Sequence, residues 1–321
     1  MEYRTFAESI LGVKYEEKEW PCQDSSCKQK IINFVAVADG HGGSNYFRSE
    51  IGSKTAIYVA LTRMMARTAI NNIVCSGEDD KDNASLCFNE SNIADLKYAI
   101  VTDWRKSVKS HWDKKKQETD GVYDDEIRYE SVSNKYKDRY TSCDESVVEQ
   151  YLYKAYGTTL IVALAIKEQI LFLQVGDGTC VVLQRDGEFR IPIPPDENSK
   201  LNITSSLCDD DVFPKSFRHA VMDREPDKPT EPVAVFLSTD GVDDCYPILD
   251  QEQYLFKLYT VIIENILNHG FEATENELTT DLLPDMMAKG SQDDISLAFL
   301  ICDDMNVLRE AFENIDVSHK Q

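Results

Sequence analysis

The sequence is poor in positive charge: Lys+Arg number 34 against 57 for Asp+Glu, a net charge of −23. A surface of that sign repels phosphate backbones and anionic lipid, so neither nucleic acid nor a membrane is an expected partner. The opening stretch MEYRTFAESILGVKYEEKEW lacks a basic segment followed by an apolar one, which excludes the usual pattern of a secretory leader. No apolar run reaches the roughly 18 residues that a membrane span requires. Nine cysteines are scattered from Cys22 to Cys302 without paired spacing. Cys22 and Cys27 are the nearest two, and no second pair, of cysteine or histidine, completes a zinc site. These absences predict reduced thiols and a cytoplasmic protein. No internal repeat is present.

With 42% apolar residues, the chain has enough material for a sizeable core. The run KIINFVAVA, Lys30 to Ala38, is apolar, β-branched and ended by Asp39-Gly40, which predicts a buried strand. From Ser44 to about Met65, Tyr46, Phe47, Ile51, Ala56, Val59 and Ala60 recur at helical spacing. A second helical stripe holds Ile93, Leu96, Ile100, Trp104, Val108 and Trp112. It lies within a charged stretch, residues 74–146, that reads as a helical and acidic insertion. Three strands follow, Thr158–Ile166, Ile170–Val175 and Thr179–Gln184, with a hairpin turn at Asp186-Gly187. Residues 192–232 are polar and proline-punctuated, as in loops or a flap. Val233–Thr239 and Asp294–Ile301 are further strands. A helix is expected from Asp250 to His269, stopped by Gly270, and another over Met305–Ile315. Strands in meander order with long helices outside predict an α+β sandwich, with residues 1–321 forming one domain.

One punctuation recurs three times. VAVADG, FLQVGDG and VFLSTDG each run from apolar strand to aspartate to glycine, and Asp293-Asp294 opens a fourth strand. Asp-Gly is a common turn dipeptide, and any one of these can be a turn and nothing more. Four carboxylates at strand ends repel one another unless cations balance them, and Mg²⁺ or Mn²⁺ suits such oxygen donors best. Two such ions can bind a phosphoryl group and activate water. His41, directly after Asp39-Gly40, is a candidate general acid for the departing alkoxide.

Asp39-Gly40-His41-Gly42-Gly43 leads an ordered series. Tyr156-Gly157-Thr158-Thr159-Leu160, Val175-Gly176-Asp177-Gly178, Ser238-Thr239-Asp240-Gly241-Val242-Asp243-Asp244 and Gly290-Ser291-Gln292-Asp293-Asp294-Ile295-Ser296 follow, with Gln23-Asp24 upstream. This set, from about Phe6 to Ile301, resembles the metal-dependent protein phosphatases of type 2C, and its compact layout is nearer the bacterial members. The resemblance implies a four-layer α-β-β-α sandwich of two central antiparallel sheets flanked by helices. It implies two Mn²⁺ or Mg²⁺ ions, with a third in many members, and hydrolysis of phosphoserine and phosphothreonine in proteins, opposing a Ser/Thr kinase. On this likeness Asp39 bridges both ions, the Gly40 carbonyl binds the second, and Asp240 and Asp293 bind the first. Asp24 holds the water network around the metals and serves catalysis with His41, and Asp177 helps bind the third ion.

The sequence departs from that family at three points. Gln23 stands where Glu is frequent, and Asp294 where Asn is common. Glu19 replaces a phosphate-binding arginine, which leaves Lys14, Lys18 or an arginine from elsewhere to substitute. Glu19 and the long insertion motivate an alternative, a catalytically weak or inactive member that binds phosphopeptides or partner proteins. A hydrolase of small phosphorylated metabolites is a third reading.

Overall fold

The chain is described here by a computed structural model covering residues 2–74, 87–195 and 204–320. Ten strands are present among these residues: β1 (Tyr3–Ile10), β2 (Ser25–Gln29), β3 (Phe34–Ala38), β4 (Leu160–Ala165), β5 (Gln169–Val175), β6 (Thr179–Gln184), β7 (Phe189–Arg190), β8 (Arg218–Asp223), β9 (Pro232–Ser238) and β10 (Ile295–Cys302). They form two five-stranded antiparallel sheets, ordered β1-β10-β9-β6-β7 and β2-β3-β4-β5-β8. The helices are α1 (Val13–Glu16), α2 (Ser49–Val74), α3 (Glu90–Glu118), α4 (Asn134–Tyr140), α5 (Glu145–Tyr151), α6 (Asp240–Asp243), α7 (Gln251–His269), α8 (Phe271–Glu277), α9 (Leu283–Lys289) and α10 (Met305–Asn314). No helix among the described residues is long and apolar enough to cross a membrane.

The apolar runs have a simple cause. A strand at the centre of a layered sandwich is covered on both faces, so it has no polar side to alternate with. In β3, Val35 and Val37 point into the core shared by the two sheets, while Phe34, Ala36 and Ala38 point to the layer of α2 and α3. Ile161, Ala163 and Ala165 of β4 divide from Leu160, Val162 and Leu164 in the same way. The stripe from Ile93 to Trp112 on α3 is buried along its length, with Trp104 and Trp112 among the largest enclosed side chains. The four-layer sandwich expected from the sequence is thus the observed fold.

Several local expectations need correction. Lys30–Ile32 is a 3₁₀ turn, not strand, because Asn33 takes a left-handed φ of 47° and resets the chain before Phe34. The second helix begins at Ser49, so Tyr46 and Phe47 belong to the loop before it. The proline-punctuated region contains β8, an edge strand paired with β5. Its residues 196–203 lie outside the described residues, as do 75–86 of the insertion. Strands β1 and β2 and helices α8 and α9 went unread, since half-exposed edge strands and short helices give no clean periodicity.

Candidate active site

Sheet register gathers the aspartates. In the antiparallel pair β2–β3, Ser25 stands opposite Ala38, which sets Asp24 beside Asp39 one step beyond. An isolated bridge pairs Gly40 with Thr158, the residue before Thr159 and β4. In the other sheet Thr179 faces Ser238, so Asp177-Gly178 and Thr239-Asp240 lie at the same end. The Thr239 amide donates to the Ser296 carbonyl at 3.1 Å, and the Ser296 amide returns a bond to Thr239 Oγ1 at 2.9 Å. Asp293 and Asp294 therefore enter from the start of β10.

Asp24 is 3% exposed and accepts a hydrogen bond from Thr239 Oγ1 at 2.7 Å. Burial, and then the Asp294 charge, raise its carboxyl well above the ordinary range. Burial also raises Asp39, with Asp24, Asp177 and Asp293 adding to it. Asp240 is raised in turn by burial and by Asp39 and Asp177. In the bare chain these groups favour protons because their charges stand close together away from water. A divalent cation relieves the same repulsion, and the donors are hard oxygens, so the residues fit Mn²⁺ or Mg²⁺.

The fit requires rearrangement, because no group of three or more acidic, cysteine or histidine side chains forms a ready cation cage among the described residues. The reason is visible at two of the carboxylates. Lys14 Nζ pairs with Asp293 Oδ2, and Thr204 Oγ1 donates to Asp177 Oδ2. Asp177 is exposed, and it stands off the cavity that Asp39, Gly40, His41, Asp240 and Asp293 line. That cavity has a volume of about 560 Å³. Asp24 lies behind it.

His41 sits at the cavity with its ring edge-on to Tyr46, centroids 4.7 Å apart. Its Nε2 is buried and has no hydrogen-bond partner. Burial, and then Lys154, lower its pKa to about 4, so the bare chain carries a neutral imidazole at pH 7. Lys154 and Lys14 are the cations lining the cavity. Glu19 is exposed at a left-handed φ of 55° and does not line it.

Two participants, Lys154 and Arg128, escaped the sequence reading, and a third, Asp294, was legible there only as an acid where Asn is common. Lys154 precedes the Tyr156-Gly157-Thr158-Thr159 motif by two residues, a position with no signal of its own. Arg128, 2% exposed, reaches under the Asp39–Gly43 loop from the insertion and donates to the His41 carbonyl at 3.2 Å. Asp294 accepts the backbone amides of Gly12 at 2.8 Å and Gln23 at 2.7 Å, one on each oxygen. An asparagine offers one acceptor oxygen, so the acid there has a structural reason: it anchors the turn that carries Asp24.

Solved structures share this fold. PppA, described as a key regulatory component of T6SS in Pseudomonas aeruginosa, is 15% identical, with 94% of this chain and 98% of that one covered at a TM-score of 0.52. The serine/threonine phosphatase Stp1 from Staphylococcus aureus is 13% identical over 94% and 96% of the two chains, at 0.51. The Mycobacterium tuberculosis serine/threonine phosphatase PstP/Ppp is 13% identical over 94% and 99%, at 0.50. Among proteins of curated function, none matches the sequence. A family model for protein phosphatase 2C matches residues 11–279, and the chain belongs to that family.

Proposed function

We propose that this chain is a metal-dependent phosphatase that hydrolyses phosphoserine and phosphothreonine in cytoplasmic proteins, opposing a Ser/Thr kinase. The observation that carries the reading is the meeting of Asp24, Asp39 and Asp240 at one end of the sandwich, each with its carboxyl pushed up, beside an open cavity. Asp39, Asp240, Asp293 and the Gly40 carbonyl would hold two Mn²⁺ or Mg²⁺ ions, with Asp24 behind them and Asp177 available to a third. Such ions, when bound, lower the pKa of water and neutralise phosphoryl oxygens.

The chain's own residues supply the rest. Lys154 and Lys14 give positive charge for the phosphoryl dianion where the usual arginine is absent. His41, neutral in the bare chain, must first take up a proton to serve the departing alkoxide, and its unpartnered Nε2 at the cavity is the atom that would hold it. Asp24 accepts from Thr239 Oγ1, which fixes the orientation of its carboxylate.

The test is hydrolysis of an aryl phosphate and a phosphothreonine peptide by purified protein with Mn²⁺, Mg²⁺ or EDTA, alongside Asp39→Asn. Turnover is expected to need the cation, and the variant to fall to background as its cation binding weakens. Turnover retained by the variant would overturn the reading. Mn²⁺ binding without turnover would favour a phosphopeptide-binding member of the family.

A further inference from the structure

The helical insertion makes contacts that a recruitment module does not need. Its segment 119–140 faces the loop that carries Asp39, Gly40 and His41, and bonds both that loop and the start of α2. Arg128 Nη2 donates to the His41 carbonyl at 3.2 Å, and Arg128 Nη1 to Ser49 Oγ at 2.6 Å. Arg48 Nε donates to Glu126 Oε2 at 2.8 Å. Tyr140 Oη donates to the Asn45 carbonyl at 3.0 Å.

Packing reinforces those bonds. The Arg48 guanidinium lies 4.7 Å from the Trp112 ring centroid and 4.9 Å from that of Tyr123. Phe47 meets Tyr129 edge-on at 5.0 Å. Arg128 covers Trp20 at 5.0 Å, so one guanidinium joins the Trp20 turn to the His41 loop. Both arginines are 1–2% exposed. Buried guanidinium groups whose fixed fork bonds backbone and hydroxyl oxygens hold those atoms in one geometry.

We propose that segment 119–140 is a built-in brace for the metal and proton-transfer loop, and that Arg128 is its positioning residue. Arg128 lines no part of the cavity, so it acts through the backbone of His41 and through Ser49 at the start of α2. The proposal rests on reading Asp39–His41 as part of the catalytic site. Partners that orient metal ligands without touching the metal change affinity or activity by about 10–100-fold when removed.

Amide hydrogen exchange over residues 40–46 of the full chain tests the brace directly, with no need of turnover. Arg128→Met is expected to speed exchange there and leave the buried amides of β4 unchanged. Its Mn²⁺ affinity should fall about 10–100-fold, with kcat lowered and KM little moved, and Arg128→Lys should restore part of the loss. Unchanged exchange in a folded Arg128→Met would overturn the proposal. Should that variant fail to fold, Tyr140→Phe decides: it removes one donor to Asn45, and exchange over 40–46 equal to the native rate would overturn the brace. If the native chain proved to have no phosphatase activity, the exchange result would still decide the brace on its own.

Discussion

Two Asp-Gly strand ends face each other across this site, and they are held in opposite ways. After β9, Thr239-Asp240-Gly241 turns at once into α6, and the Asp244 amide closes the turn on the Asp240 carbonyl at 2.7 Å. After β3, Asp39-Gly40-His41 opens into a loop of ten residues before α2 begins at Ser49. That loop is secured by residues about 80–120 positions away, among them Arg128, Thr158 and Thr159. Close backbone approach is common to both. A Cβ on Gly241 would sit 2.1 Å from the Asp294 carbonyl oxygen, and one on Gly40 would sit 2.5 Å from that of Gln23. The first end closes on itself in a tight turn that Thr239 ties to Ser296 and Asp24, whereas the second is an open loop whose shape depends on distant side chains. Disturbing distant side chains should therefore loosen the Asp39 end and spare the Asp240 end.

The largest expected loss of stability breaks the tertiary end. Glu126→Ala leaves Arg48, 1% exposed, without its carboxylate in a ring of aromatic side chains. Removing one partner of a buried ion pair strands the other charge, at about 3–5 kcal/mol. Glu126 is 24% exposed, so water softens the loss toward the lower figure. Urea unfolding should show about 3 kcal/mol lost, and a loss under about 1 kcal/mol would mean that Arg48 is held by its aromatic neighbours alone.

The local end is sharpened by pH. Asp243, on α6, is 6% exposed and accepts from Ser238 Oγ at 3.2 Å and from Thr179 Oγ1. Burial pushes its carboxyl from 3.8 up to about 7. Between those values the folded chain keeps a proton that the unfolded chain has lost, so stability from this group is complete below about pH 4 and declines until about pH 7. Asp243→Asn stays neutral throughout. In EDTA, the variant should match the native chain near pH 4 and exceed it increasingly up to pH 7, by at most about 4 kcal/mol at roughly 1.4 kcal/mol per pH unit. A stability difference that does not change with pH would place the proton elsewhere.

What the sequence disclosed follows the same division. The strands β3, β4, β6, β9 and β10 and the turn at Asp240 were legible, because a buried strand and an Asp-Gly turn are written in adjacent residues. Asp39, Asp240 and Asp293 could be singled out for the same reason, whereas Asp24, before a strand without a clean pattern, came only from the family resemblance. The brace could not, since Arg128 and Glu126 sit in a charged, turn-prone stretch that reads as solvated surface. Only the fold brings them under Ser49 and Arg48. Lys154 was missed likewise: a lysine two residues before a glycine turn carries no local mark, and its place at the cavity comes from how Leu152–Tyr156 packs against α2 and α3.

The smallest effect on stability sits where the two ends meet. Lys14 pairs with Asp293, and its amide also bonds the Gln292 carbonyl at 3.3 Å. Both side chains are more than a third exposed, so Lys14→Met should change stability by less than about 1 kcal/mol. The pair nevertheless occupies a carboxylate proposed for a metal ion. If Lys14 competes with that ion, Lys14→Met should bind Mn²⁺ more tightly in calorimetry, by about fivefold at most for an interaction of that size. If the lysine instead aims the carboxylate into the cavity, affinity should fall. A tighter ion together with a raised KM for phosphopeptide would mean that metal binding releases the Lys14 ammonium to meet the phosphoryl group. Asp293 would then be the switch between the two, and the missing arginine at Glu19 would have its substitute on the neighbouring turn.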